Sequence, residues 1–266
     1  MFQQVIDFRD ESDALYTLLK PLSDEGFLQR TQFKQWTIND IIGHLHIWNR
    51  AADLSLRNPK AFQEFLSEVM TFVRKGQLRT FEQNWLDGLR GCALCDNWHD
   101  SYLEMCQHFG EADPKARVAW AGPDMSVLSS ITARLMETWA HGQAIYDLLG
   151  MKRVDEDRIK NIAVLGVKTF GWTFKNRGLP VPGAPPHLRL NAPSGQVWKF
   201  NEPNETDSIE GNASEFCQVV TQVRNIEDTS LTVKGDAATQ WMAIAQCFAS
   251  PPEDPPAPGS RFRSAT

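Results

Sequence analysis

Apolar residues recur three and four positions apart through most of the first half of the chain. That period predicts helices over residues 3–20, 38–57, 60–75 and 80–109. Another is predicted from Ser126, a suitable N-cap, to Leu149, with Gly150 as its stop. Proline is sparse here: Pro21, Pro59, Pro114 and Pro123 all fall in breaks of the pattern. A few long helices with short connections predict an antiparallel bundle, with no strands pairing before about residue 150.

Residues 155–177 continue the helical period. Residues 179–186 then carry four prolines and cannot be helix interior. Strand-like runs follow in HLRLNAP, QVWKFN and DSIEGN, with Pro193-Ser194-Gly195 as a hairpin turn between the first two. A helix, ASEFCQVVTQVRN, a strand, LTVKGD, and a helix, ATQWMAIAQCFA, complete a small mixed unit. The expected class is therefore α+β: a helical bundle over residues 1–165 and a smaller α/β domain over 166–250. Residues 251–266, rich in proline with little to bury, are expected to be a disordered tail.

Composition narrows the function. The 266 residues are 42% hydrophobic and 23% charged, enough apolar material for a sizeable core. The formal net charge of −6 opposes a phosphate backbone, so no nucleic-acid partner is expected. No apolar run reaches the roughly 18 residues of a membrane span, and the N-terminus lacks a basic region followed by an apolar stretch. A cytoplasmic protein, monomeric or homodimeric, with no membrane partner and a small-molecule substrate is expected. Five cysteines do not make a disulfide framework in a chain this long, and the lone Cys92-x2-Cys95 pair reads as reduced, packed thiols.

The helix from Ser126 carries the apolar stripe Leu128, Ile131, Leu135, Trp139, Ile145, Tyr146 and Leu149. Arg134, Glu137, His141 and Ala144 form an adjacent row. Glu137 and His141 are four apart, a spacing that suits two ligands of one metal or an ordinary contact along a helix. On the helix after Trp36, Thr37 and Asp40 fit a capping box, and His44 lies at the edge of the stripe Ile38, Ile41, Leu45, Trp48 and Ala52. Facing helices could join His44 to Glu137 and His141; an ordinary, partly buried histidine is the alternative. Arg134 suits a substrate carboxylate or a salt bridge to Glu137. Asp40 suits capping or a place behind the metal ligands. Trp120 and Met125, on a Gly-Pro loop before the later helix, suit a pocket wall or plain packing. His46, His99, His108 and His187 have no matching partner spacing.

The segments WTINDIIGHL (36–45) and ARLMETWAHGQ (133–143) resemble the two ligand segments of the DinB-like metalloprotein superfamily. Within it they are most similar to the branch of mycothiol-dependent maleylpyruvate isomerase. Three further stretches, VAWAGPDMS (118–126), RGLPVP (177–182) and FCQVVTQ (216–222), resemble a subgroup of metal-binding proteins without an established substrate. The resemblance implies a four-helix bundle with a sterol-carrier-like α/β domain. It implies a divalent metal, zinc by expectation, on His44, Glu137 and His141. It also implies a low-molecular-weight thiol cofactor such as mycothiol or glutathione. Trp48, Trp120, Met125 and Arg134 are then expected near the metal.

Two functions follow as expectations. One is a metal-dependent isomerase, lyase/hydratase or thiol transferase acting on a small carbonyl or carboxylate compound. The alternative is a non-catalytic metal-binding or hydrophobic-ligand-binding protein.

Overall fold

A computed structural model describes residues 1–262. The architecture is α+β, and the chain divides into two compact units, Met1–Ile145 and Tyr146 onward. That division falls earlier than the expected limit at residue 165.

In the first unit, α1 (Gln3–Leu19), α2 (Ile38–Arg57), α3 (Pro59–Val73), α4 (Leu78–Leu86) and α5 (Gly91–Glu111) precede α6 (Val127–Leu148). The expected single helix over 80–109 is a correction. It is broken between α4 and α5, where Asp87 and Gly88 both take positive φ, 46° and 81°. An Asp-Gly pair adopts that conformation readily, whereas a helix interior excludes it. α5 packs against α1 and α2. The core includes Phe8, Leu15, Ile41, Leu45, Trp98, Tyr102 and Trp139.

A second cluster, Ile47, Ala51, Phe62, Phe65, Val69 and Phe81, joins α2, α3 and α4, with Trp48 and Trp120 packed against it. It packs α4 against α2. The α2 start follows from its sequence. Thr37 Oγ1 accepts from the Asp40 N–H, and the Thr37 N–H donates to the Asp40 carboxylate. Ser126 Oγ accepts from the Ser129 N–H in the first turn of α6. A two-residue ladder, β1 (Arg117–Val118) with β2 (Met125–Ser126), leads into α6. It corrects the expectation of no strand pairing in this part of the chain.

The second unit holds α7 (Lys160–Lys168), α8 (Phe170–Asn176), β3 (His187–Asn191), β4 (Val197–Phe200), β5 (Ser208–Asn212), α9 (Ala213–Val220), β6 (Thr232–Lys234) and α10 (Asp236–Ile244). The sheet order is β4-β3-β5-β6, antiparallel except for β3 with β5. Alternation along β3 buries Leu188 and Leu190 on one face. Phe170 and Phe216 meet Trp241 edge-on in the core between the helices. Gly166 lets α7 approach α9 closely, since a Cβ there would lie 2.9 Å from a Val220 methyl.

Residues 251–262 depart from the expected disordered tail. Gln246 donates to Ser250 Oγ and the Pro251 carbonyl and accepts from the Glu253 N–H. The Glu253 and Pro256 carbonyls accept from Gln222 and Asn225, and Arg177 holds Asp254. Prolines give up donors but keep carbonyls, so side-chain amides and guanidinium groups can pin such a segment. Residues 263–266 of the expected tail lie outside the described residues. Among the described residues, no helix is long and apolar enough to cross a membrane.

Candidate metal centre

His44 comes from the second turn of α2, and Glu137 and His141 come from one face of α6. Their ligand atoms, two imidazole nitrogens and a carboxylate oxygen, all lie within 4.8 Å of one another. Glu137 Oε2 is 3.1 Å from His141 Nε2 and 3.7 Å from His44 Nε2. Ligand atoms about 2.0–2.2 Å from a tetrahedral ion sit roughly 3.3 Å apart, so these separations need only a small closing movement. Two nitrogens and one carboxylate oxygen form a donor set that divalent transition metals accept.

Burial works against the charge on Glu137. Hydrogen bonds from His141 and His44 and the charge of Arg134 outweigh it and hold the carboxyl well below the usual range. Burial also pushes the His44 imidazole down, but its contacts with Glu137 and Glu82 turn the net shift upward. For His141, burial prevails with help from the charge of His44, and the net shift is downward. The carboxylate between the two rings is therefore charged at neutral pH.

Arg134 is 5% exposed and lies on the inner side of α6. Its Nη2 is 4.0 Å from Glu137 Oε1, and its guanidinium carbon is 5.3 Å from the centre of the Trp120 ring. Its Nη1 is buried without a hydrogen-bond partner. Trp48 lies beside His44, ring centres 6.2 Å apart, and beside Trp120, 5.9 Å apart. Trp120 thus reaches the ligands through Trp48 and Arg134. Met125 sits in β2 opposite Val118. His46 points elsewhere, to Ser101 and Trp85. Of the CxxC pair, Cys95 is buried and Cys92 exposed; both are free thiols.

Four residues that the sequence reading missed complete the surroundings. Trp36 stacks on His141 with planes 6° apart, and Phe33 meets the same ring edge-on at 5.0 Å. Lys34 and Gln35 between them take positive φ, 49° and 58°, which turns the chain back so that both aromatics serve one imidazole. Glu82, on α4, lies 2.7 Å from His44 Nδ1, and Arg79 one turn earlier bonds Glu82 and Asp40. The available signal was Glu82 itself, an acid on the stripe formed with Leu78, Phe81 and Trp85.

Residues 8–146 match the family described as "Mycothiol maleylpyruvate isomerase N-terminal domain". Two uncharacterized proteins of Mycobacterium tuberculosis, from strains CDC 1551 / Oshkosh and ATCC 25618 / H37Rv, are each 32% identical over 252 residues. The aligned region spans 93% of this chain and 96% of each relative. Among solved structures, the fold is similar to that of the mycothiol-dependent maleylpyruvate isomerase (TM-score 0.51) and of a histidine-to-alanine mutant of it (TM-score 0.52). Both are 15% identical, with 81% of this chain and 86% of theirs covered.

Proposed function

The chain belongs to the mycothiol maleylpyruvate isomerase N-terminal domain family, a DinB-like, maleylpyruvate isomerase-like family, and on that premise we propose that it is a metal-dependent enzyme. Its substrate is a small carbonyl or carboxylate compound, and its reaction is isomerisation, hydration or thiol transfer with a low-molecular-weight thiol such as mycothiol. The observation that carries this reading is the convergence of His44, Glu137 and His141 from two helices.

The residues fit a divalent ion, zinc by preference, and the ligand side chains keep between 12% and 21% exposure, enough for a small molecule to approach. When bound, such an ion supplies a Lewis acid and lets a coordinated thiol or water ionise near neutral pH. Glu137 leaves a net charge of about +1 on a divalent site with neutral imidazoles, which favours an anionic fourth partner. Arg134 offers its unpaired Nη1 to a substrate carboxylate. Trp36, Phe33 and Trp48 crowd the imidazoles and limit water around them. Glu82 is turned to the far nitrogen of His44, so it does not close the site as a fourth ligand.

The test is elemental analysis of the purified protein, followed by cobalt substitution and titration with mycothiol and glutathione. About one divalent ion per chain and a thiol-dependent change in the cobalt spectrum are expected. Turnover of maleylpyruvate only in the presence of mycothiol would narrow the reaction to isomerisation. A metal-loaded protein whose spectrum no thiol perturbs, and which turns over no such substrate, would sink the thiol-dependent reading.

A further inference from the structure

We propose that Glu82 is the positioning residue of this centre: its carboxylate fixes the tautomer and direction of His44, and Arg79 and Asp40 fix the carboxylate. The inference rests on the reading of His44, Glu137 and His141 as metal ligands.

Glu82 is fully buried, at 0% exposure. A buried carboxylate costs several kcal/mol unless its oxygens are satisfied. Here both are. Oε1 lies 2.7 Å from His44 Nδ1 and accepts from Trp48 Nε1 at 3.2 Å. Oε2 accepts from Arg79 Nη1. The second nitrogen of the Arg79 guanidinium bonds Asp40, whose other oxygen is held in the Thr37 capping box. The guanidinium also lies over the Trp36 ring, 4.4 Å from its centre.

The result is a frame across two helices. Asp40 and His44 stand one turn apart on α2, Arg79 and Glu82 stand one turn apart on α4, and three side-chain contacts, Asp40–Arg79, Arg79–Glu82 and Glu82–His44, join them. An apolar residue at position 82 would fill the stripe of α4 at lower cost. The carboxylate does something an apolar residue cannot. A neutral imidazole has one donor and one acceptor nitrogen. Donation from Nδ1 to Glu82 leaves the lone pair on Nε2, the nitrogen that faces Glu137. A histidine locked in this way is a better ligand than one free to rotate or to change tautomer.

The test uses the full chain. Zinc affinity is measured by chelator competition, and the cobalt-substituted absorption spectrum is recorded, for wild type, Glu82→Gln, Glu82→Ala and Arg79→Met. Glu82→Ala is expected to weaken zinc by about 10–100-fold and to shift the cobalt bands. Glu82→Gln keeps an amide oxygen for Nδ1–H but turns its NH2 toward Arg79, so it is expected to recover the affinity to about the level of Arg79→Met, with bands close to wild type. That rescue separates positioning from mere helix packing. Arg79→Met, which frees the carboxylate without removing it, is expected to weaken zinc by roughly tenfold. Wild-type affinity and spectrum in Glu82→Ala, or in Arg79→Met if Glu82→Ala does not fold, would overturn the proposal. Failure of the wild type to bind any metal would instead overturn the ligand reading beneath it.

Discussion

The indole of Trp36 lies flat against the imidazole of His141, with ring centres 5.8 Å apart and planes 6° from parallel. Trp36 belongs to the loop before α2, so one loop residue fixes the orientation of a side chain from α6. Replacement by Leu keeps the bulk and loses the flat contact. Trp36→Leu is expected to lower zinc affinity by roughly tenfold or less, a smaller loss than removal of a ligand. Chelator competition measures it, and an unchanged affinity would show that the stacked ring does not hold His141.

The ligand set makes a sharper demand. His44→Ala, Glu137→Ala and His141→Ala should each drop bound metal from about one per chain to near zero under dialysis, whereas His46→Ala should keep it. His46 is the proper control, since it sits on the same helix but bonds Ser101. Protons compete with the metal for the two imidazoles, so affinity should rise with pH and level off once both are neutral. Metal retained by the His44 and His141 variants, or lost only from His46→Ala, would show that the wrong histidines have been matched.

Arg134→Met removes the guanidinium while keeping most of the volume. Loss of one charged hydrogen bond, about 1.5–3 kcal/mol, corresponds to a fall of roughly 10–100-fold in kcat/KM for a carboxylate-bearing substrate. Metal content should not change. The decisive comparison is with an uncharged analogue of the substrate, whose kcat/KM should fall far less. Equal losses for both would assign Arg134 to holding Glu137 instead.

Burial pushes the Cys106 thiol from 9.0 up to about 12, against a downward pull from Arg9. The folded state therefore keeps the thiol neutral over a range in which the unfolded chain ionises. This contribution to stability is fully present below about pH 9 and is lost as pH rises toward 12. By pH 11 the loss is roughly 2–3 kcal/mol. Urea unfolding of wild type and Cys106→Ala at pH 8 and pH 11 isolates the effect. The variant should be less sensitive to the rise in pH; equal sensitivity would exclude this thiol as the cause.

The sequence exposed what lies along one helix and hid what lies between helices. Glu137 and His141 share a face because they are four apart, and the Thr37–Asp40 box is a local device, so both were readable in single segments. His44 needed the resemblance between segments 36–45 and 133–143 and those of known metalloproteins. Glu82 and Arg79 escaped because their meaning lies 38 and 39 residues away, in contacts with His44 and Asp40. The α4–α5 break was written in Asp87-Gly88, but the apolar period on either side masked it. The segment after Ser250 misled in the opposite direction. Its prolines suggested little to bury, yet it is fastened by side chains that composition cannot pair with it.

The four-cornered frame of Asp40, His44, Arg79 and Glu82 also has an evolutionary consequence. The two corners on α4 are the costly ones to exchange for an apolar residue: loss of Arg79 leaves the Asp40 and Glu82 carboxylates without the cation they share, and loss of Glu82 leaves Arg79 and His44 without their shared acceptor. Neutral drift to apolar residues is therefore restrained at positions 79 and 82. In an alignment of this lineage, positions 79 and 82 should change together, and a side-chain acceptor, Glu or Gln, should stand at 82 wherever His44 is kept.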